Sequence, residues 1–150
     1  QCDASISAWD NKYHHDILRP ESAIRQRAEQ FANPDPRVIT QRDWRSYIPT
    51  PAFPSYSSGH STFGAAATEL IALFRGSDKI SLLSQSPDQV IWPQLRGITR
   101  YWTSLRDIAE ENGMSRLYGG VHWEIDHTEA MTAGRNIARQ AHLNLFRAIV

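Results

Sequence analysis

An all-α fold, a helical bundle, is predicted for this chain from three observations. Apolar residues recur at steps of three and four in several separate stretches. No stretch alternates convincingly between apolar and polar residues, and no internal repeat of about 20 to 50 residues is visible. The length of 150 residues corresponds to about one domain. A composition of 41% hydrophobic and 21% charged residues is enough to bury a core and unlike that of a disordered chain.

The first helix is expected over residues 2–18, where Ile6, Trp9, Tyr13 and Ile17 form a stripe. Arg19-Pro20 ends it, because the residue before a proline avoids the α region. A shorter helix is expected from about Pro20 to Ala32, before Asn33-Pro34-Asp35-Pro36 breaks it. From there to Tyr56, the prolines at 34, 36, 49, 51 and 54 predict a long irregular loop, a feature that is usually functional or disordered. Trp44, Tyr47 and Phe53 predict that this one is packed. Ser57-Ser58-Gly59-His60-Ser61-Thr62 opens the clearest helix, which continues through Phe63, Ala67, Leu70, Ile71 and Phe74 to a stop at Gly76. Its run Gly64-Ala65-Ala66-Ala67 predicts close helix–helix packing. Ser77 to Pro93 reads as a loop with about one turn, and Ile98 to Asn112 as a helix (Ile98, Trp102, Leu105, Ile108, Ala109) closed by Gly113. After a hinge at Gly119-Gly120, a last helix is expected from His122 to Ala148, with Ile125, Met131, Ile137, Ala141, Leu145, Phe146 and Ile149 as its apolar side.

Charge and cysteine content narrow the function classes. Sixteen basic residues balance sixteen acidic ones, which argues against a non-specific binder of nucleic acid or of an anionic membrane. No apolar run reaches the roughly 18 residues of a membrane span; the best, Ala65 to Phe74, is interrupted by Thr68 and Glu69. Cys2 is the single cysteine, so neither an intramolecular disulfide nor a cysteine-based metal site can form, and the compartment stays open. The chain starts at Gln1 without a signal-peptide pattern and reads as structured by Ala8-Trp9-Asp10, so a piece of a longer polypeptide is expected, its N-terminal part absent. Lys12 and Lys79 are the only lysines among the basic residues. The rest are arginines, whose planar donor fork suits oxyanions.

Chemistry concentrates in three clusters that place positive charge and histidine beside turns. Lys12 and Arg19 are seven apart, two helical turns and hence one face. A solvated basic edge would look the same. Phe53-Pro54-Ser55-Tyr56-Ser57-Ser58-Gly59-His60 puts Gly59 where a loop enters a helix, exposing backbone N–H groups that can take an anion. An ordinary serine N-cap explains the same residues. Ser115-Arg116 precedes His122, and Asp126 lies four beyond it, so a carboxylate can orient the imidazole. A core histidine beside a surface ion pair is the alternative. Zinc is excluded on spacing, since His122 and His127 are five apart and one helical face needs four.

Taken in order, Lys12-x6-Arg19-Pro20, Ser58-Gly59-His60 and Ser115-Arg116-x5-His122-x3-Asp126 resemble the three-part signature of the type 2 phosphatidic acid phosphatase superfamily, across residues 12 to 126. That superfamily holds acid and lipid phosphatases and, in the same helical-bundle fold, the vanadium-dependent haloperoxidases. The residues between the motif positions resemble the haloperoxidase branch: Trp9 before Lys12, Phe53-Pro54-Ser55-Tyr56 before Ser58, Ser61-Thr62-Phe63-Gly64 after His60, and Gly120-Val121-His122-Trp123. The chain would then be, over residues 1–150, the C-terminal catalytic portion of such a domain. One position departs from the family pattern, Ser57, which stands where proline is usual; Phe53 stands where algal bromoperoxidases are expected to carry a second histidine, which leans the chain away from their arrangement.

The resemblance implies vanadate as cofactor, with phosphate able to occupy the same site, and hydrogen peroxide, halide and a small organic acceptor as partners. His122 would bond vanadium, while Lys12, Arg19, Arg116, the Ser58 hydroxyl and the Gly59 N–H would hold the oxygens. His60 would be the acid–base group that takes the peroxide proton, and Lys12 would polarise the bound peroxide toward halide attack. Trp9 and Phe53 would line the halide side, and Asp126 would support His122. The superfamily's alternative, phosphomonoester hydrolysis through a phosphohistidine, would use the same residues, with His122 attacking phosphorus and His60 protonating the leaving oxygen. An extracytoplasmic location is implied by the resemblance alone, and a homo-oligomer is left open.

The remaining candidates have structural readings. His14 and His15 are expected to be solvated, His127 and His142 to be surface or interhelical, and Cys2 to be a buried small apolar residue. Trp44, Trp92, Trp102 and Trp123 are expected in the core or in a subunit contact.

Overall fold

A computed structural model of the chain describes residues 1–27, 37 and 39–145. Its long helices are α1 (Cys2–His15), α3 (Gly59–Arg75), α4 (Leu105–Tyr118) and α5 (Glu124–Asn144), with a short α2 (Pro20–Ser22) that widens into a π turn over Ala23–Arg27. The helices form the expected bundle, but the fold is not purely helical. Two strands, β1 (Lys79–Gln85) and β2 (Thr99–Ser104), pair antiparallel, with Leu82 opposite Trp102 and Ser84 opposite Arg100.

The strands replace the expected loop at 77–93 and the first turns of the helix expected from Ile98. In β1 only Ile80 is half-buried, so neither face is covered and no apolar alternation marks the strand in sequence. Thr99, Tyr101, Trp102 and Thr103 favour extended backbone. The helix starts only after Ser104, whose side chain accepts the Asp107 N–H at 3.0 Å.

Helix ends depart from expectation for local reasons. α1 stops at His15, because Asp16 takes a left-handed cap conformation (φ 46°) and donates its N–H to the Lys12 carbonyl. Lys12 and Arg19 are therefore not on one helical face, and the turn between them must bring them together. Nor is the buried stripe of α1 the aromatic one: Ala4, Ala8 and Lys12 are buried, whereas Ile6 and Tyr13 are 69% and 68% exposed. α4 runs through Gly113 to Tyr118, and α5 begins at Glu124 rather than His122. α5 buries Asp126, His127, Ala130, Met131, Gly134 and Ala138, while Ile125 and Leu145 face outward. Cys2 and Tyr47 are exposed, against expectation; Trp92 is exposed and so not in the core of the chain, and Trp44, Trp102 and Trp123 are half-buried. The break expected at 33–36 and the positions Ala32, Phe146, Ala148 and Ile149 lie outside the described residues.

Small residues set the distance between helices. Ala65, Ala109 and Met131 join α3, α4 and α5 in the core. A Cβ added at Gly134 would collide with the Thr62 carbonyl and lie 2.9 Å from the Ala65 Cβ. The close packing expected of the Gly64–Ala67 run is thus present, with α5 against Ala65 and Ala66 and α4 against Gly64. α3 itself has the expected bounds, capped by Ser58 and stopped by Gly76 at φ 63°.

Gly134→Ala tests this contact. Alanine is the better helix former by about 1 kcal/mol, yet the carbonyl it would meet is backbone and cannot turn aside. Urea unfolding should show a net loss of about 1–3 kcal/mol; a gain in stability would mean that α3 and α5 are not in close contact.

Candidate functional site

The motif residues converge on one cavity of about 180 Å³, lined by Ala8, Trp9, Lys12, Arg19, Pro51, Phe53, Gly59, His60, Phe63, Arg116 and His122. Each arrives from a different element: Lys12 from α1, Arg19 from the turn before α2, Gly59 and His60 from the start of α3, Arg116 from the end of α4, and His122 from the segment before α5. A larger groove of about 880 Å³ lies on the far side of Arg116, its wall built mainly from apolar residues such as Ile48, Leu95 and Ile98. It shares only Arg116 with the first cavity.

His122 is held in a defined state. Arg19 Nη1 donates to the Val121 carbonyl at 2.8 Å and lies 2.9 Å from His122 Nε2. A guanidinium can only donate, so Nε2 carries the lone pair and Nδ1 the hydrogen. Nδ1 then donates to Asp126 Oδ2 at 2.8 Å. Burial holds the His122 pKa below its ordinary value, and Arg19 and Lys12 add to this against the opposing hydrogen bond to Asp126. His122 is thus a neutral imidazole whose Nε2 lone pair accepts from the Arg19 guanidinium. Asp126 accepts the Nδ1 hydrogen bond, and Ser55, which the sequence reading missed, donates to the same Oδ2.

Lys12 and Arg19 are only 3% and 4% exposed. The Lys12 ammonium donates to the carbonyls of Ser57 (2.7 Å), Ser55 (3.0 Å) and Pro54 (3.2 Å). Its three hydrogens therefore fasten the loop, and an incoming oxygen must displace one of these carbonyls. Burial and the neighbouring Arg19 bring Lys12 down to about 8, against the pull of Asp126. Burial brings Arg19 to about 10, with Asp126 opposing and Arg116 reinforcing, so it stays charged at neutral pH. Two buried donors have no partner among the described residues, Arg19 Nη2 and Arg116 Nε. An oxyanion would satisfy both, and the donor set therefore fits such a group.

His60 lies exposed at the cavity, its pKa lowered first by burial of its ring and then by Arg116 and Lys12. Ser58 is fully buried and does not line the cavity; its Oγ caps α3 by accepting the Ser61 N–H. Trp9 and Phe53 meet at the rim with ring centroids 4.8 Å apart. Lys12 Nζ lies 5.4 Å, and the Arg19 guanidinium carbon 5.0 Å, from the Phe53 centroid, so this ring faces two cations. Among the other histidines, His14 and His15 are solvated as expected, and His142 is half-buried against Phe74. His127 is buried between helices. Among the described residues no cluster of three or more His, Cys, Asp or Glu could hold a metal ion, and no helix is long and apolar enough to cross a membrane.

Comparison with known proteins shows the family to which the chain belongs. A family model described as the VCPO second helical-bundle domain matches residues 1–149, and the chain belongs to that family. It is similar to a vanadium chloroperoxidase of Curvularia inaequalis, 26% identical over 162 residues that cover 85% of this chain and 26% of that protein. It is also similar to a vanadium-dependent bromoperoxidase of Corallina officinalis, 27% identical over 82% of this chain and 21% of that protein. The chain thus spans about a quarter of the length of these relatives. Among solved structures, a bacterial vanadium-dependent iodoperoxidase superposes with a TM-score of 0.73 and 28% identity, over 96% of this chain and 31% of that one. A holo-type bacterial vanadium-dependent chloroperoxidase superposes at 0.76 with 23% identity, over 94% and 33%, and shares the fold.

The lowered Lys12 pKa of about 8 has a measurable consequence. At pH 8 part of Lys12 is neutral, and a bound anion restores its charge, so phosphate binding should take up protons there. Calorimetric titration in two buffers of different ionisation enthalpy should show less uptake in Lys12→Met than in the wild type. Equal proton balance in both would mean that Lys12 is fully charged before the anion arrives.

Proposed function

From its membership of this family, we propose that the chain carries the oxyanion site of a vanadate-dependent haloperoxidase, an oxidoreductase that uses hydrogen peroxide to oxidise halide to hypohalous acid. The hypohalous acid would halogenate a small organic acceptor. The observation that carries this reading is the neutral His122 lining the cavity beside Arg19 and Arg116, with Arg19 Nη1 on its Nε2 lone pair and Arg19 Nη2 and Arg116 Nε buried without a partner among the described residues. Bound vanadate supplies Lewis-acid activation of peroxide without a change of metal oxidation state.

The chain's own residues then have separate tasks. His122 Nε2 is the one protein ligand, and Asp126 keeps its tautomer correct. Arg19, Arg116 and the Gly59 N–H hold the oxygens; charge-assisted hydrogen bonds to the two guanidinium groups contribute about 1.5–3 kcal/mol each. Phosphate would take the same donors. His60 has a lowered pKa and is neutral near pH 7, so a ring nitrogen can take the proton that peroxide gives up. Lys12 adds positive charge on the side where halide attacks. Trp9 and Phe53 keep water from the halide there.

Replacing each histidine separates their tasks. His122→Ala should abolish both vanadate retention and bromide oxidation. His60→Ala should still retain vanadate while turnover falls about 100-fold or more. Equal vanadate retention by the two variants would reverse the assignment of ligand and base. Fast hydrolysis of a phosphate ester by vanadate-free protein, with no bromide oxidation after full vanadate loading, would identify a phosphatase instead.

A further inference from the structure

Two residues that do not line the cavity, Asn112 and Gly64, meet at the backbone of His60. Asn112, one helical turn before Arg116 on α4, donates its side-chain N–H to the His60 carbonyl at 2.8 Å. Only the nitrogen end of the amide can do this, because its oxygen would repel the carbonyl oxygen. Gly64, one turn after His60 on α3, leaves the space for it. A Cβ at Gly64 would lie 2.8 Å from Asn112 Nδ2 and 3.8 Å from its Cγ. The amide therefore rests on bare backbone, and a larger residue there would push it off the carbonyl.

The His60 side chain is exposed, so the direction of its ring depends on the backbone that carries it. The start of α3 is tied to α5 at Ser58, whose N–H donates to the Asp126 carbonyl at 3.1 Å. Toward α4, the bond from Asn112 ties it at His60. Asn112 and Arg116 are four apart and hence on one face of α4, and Arg116 lines the same cavity as His60. One amide thus sets the backbone of the acid–base group against the helix that carries an anion-binding arginine. We infer that Asn112 is a positioning residue which, lying in the space left by Gly64, holds the His60 carbonyl and so aims the His60 ring beside Arg116, where peroxide gives up its proton. The inference rests on the haloperoxidase reading above and adds a residue outside the cavity to it. The anion donors are held by other bonds: Arg19 by the Phe53 and Val121 carbonyls, and Ser58, next to Gly59, by Asp126. Loss of the Asn112 amide should therefore act on proton transfer more than on anion binding.

The bond can be removed from either side. Asn112→Ala deletes the donor, and Gly64→Ala fills its space, from which the amide, as the free end of a side chain, can swing away. In the intact protein that contains this chain, either variant should lower bromide turnover after vanadate loading by about tenfold, the cost of a slightly misplaced acid–base group. Inorganic phosphate should bind both with close to wild-type affinity in calorimetric titration. Because Asn112 acts through His60, adding Asn112→Ala to His60→Ala should cause no further loss of turnover. In vanadate-free protein with isotope-labelled histidine, the His60 ring signals, assigned by their absence from His60→Ala, should shift in Asn112→Ala while those of His122 stay in place. Unshifted His60 signals, or the same further loss of turnover in the His60→Ala background, would overturn the inference while leaving the oxyanion site standing. A fall in phosphate affinity as large as the fall in turnover would overturn it too, since Asn112 would then only hold the fold together. Wild-type protein that oxidises no bromide after vanadate loading would overturn the haloperoxidase reading instead, and the His60 signals would still decide whether Asn112 aims the ring.

Discussion

The Asp126 carboxylate is the group on which the rest of this structure depends. It is completely buried, and a buried charge is tolerated only when it is paired and hydrogen-bonded. Burial alone would raise its pKa, but the hydrogen bonds from His122, Ser55 and the Trp123 N–H outweigh burial and hold it below the ordinary carboxylate range. Each bond also orders something. The Trp123 bond starts α5, the Ser55 bond anchors the long loop, and the His122 bond sets the imidazole tautomer. The Asp126 carbonyl in turn receives the Ser58 N–H at 3.1 Å, tying the start of α3 to the start of α5.

Asp126 does not neutralise the site. Lys12, Arg19 and Arg116 gather around a single buried carboxylate, and burial lowers the pKa of all three. Their arrangement costs stability in an anion-free protein, and an oxyanion offsets that cost. The protein limits the cost by giving Lys12 three loop carbonyls and Arg19 the carbonyls of Phe53 and Val121. The same bonds close the loop over the cavity. Substituting a hydrophobic residue for Lys12 would therefore loosen the loop as well as remove a charge.

Convergence of so many elements on about 180 Å³ requires helices that approach closely. Gly64 and Ala65 on α3, Ala109 and Gly113 on α4, and Ala130 and Gly134 on α5 permit it. Larger side chains at these crossings would widen the bundle and move the Arg116, Ser58 and His122 positions apart. The small-residue interior leaves aromatic and aliphatic side chains at the periphery, which is why the stripe of α1 read from sequence pointed the wrong way. The buried face of α1 carries Ala4, Ala8 and a charged lysine, a combination that hydrophobic periodicity does not register.

By itself, the sequence determined the helical class, the bounds of α3 and the motif residues of the candidate site. These are local properties: a cap, a left-handed glycine, and residue types at set spacings along the chain. Tertiary structure decided the rest. Only the three-dimensional packing shows that Arg19 leaves the helix of Lys12 and still reaches His122, that the Lys12 hydrogens are spent on carbonyls, and that Gly113 makes room for His127. It also decides that residues 79–85 and 99–104 pair as strands, since a ribbon covered on neither face leaves no alternation to read. The physical reason is common to all of these. Periodicity and spacing record what a residue does within its own element, whereas hydrogen-bond partners, burial and collision distances are set by elements that meet only after the chain has folded.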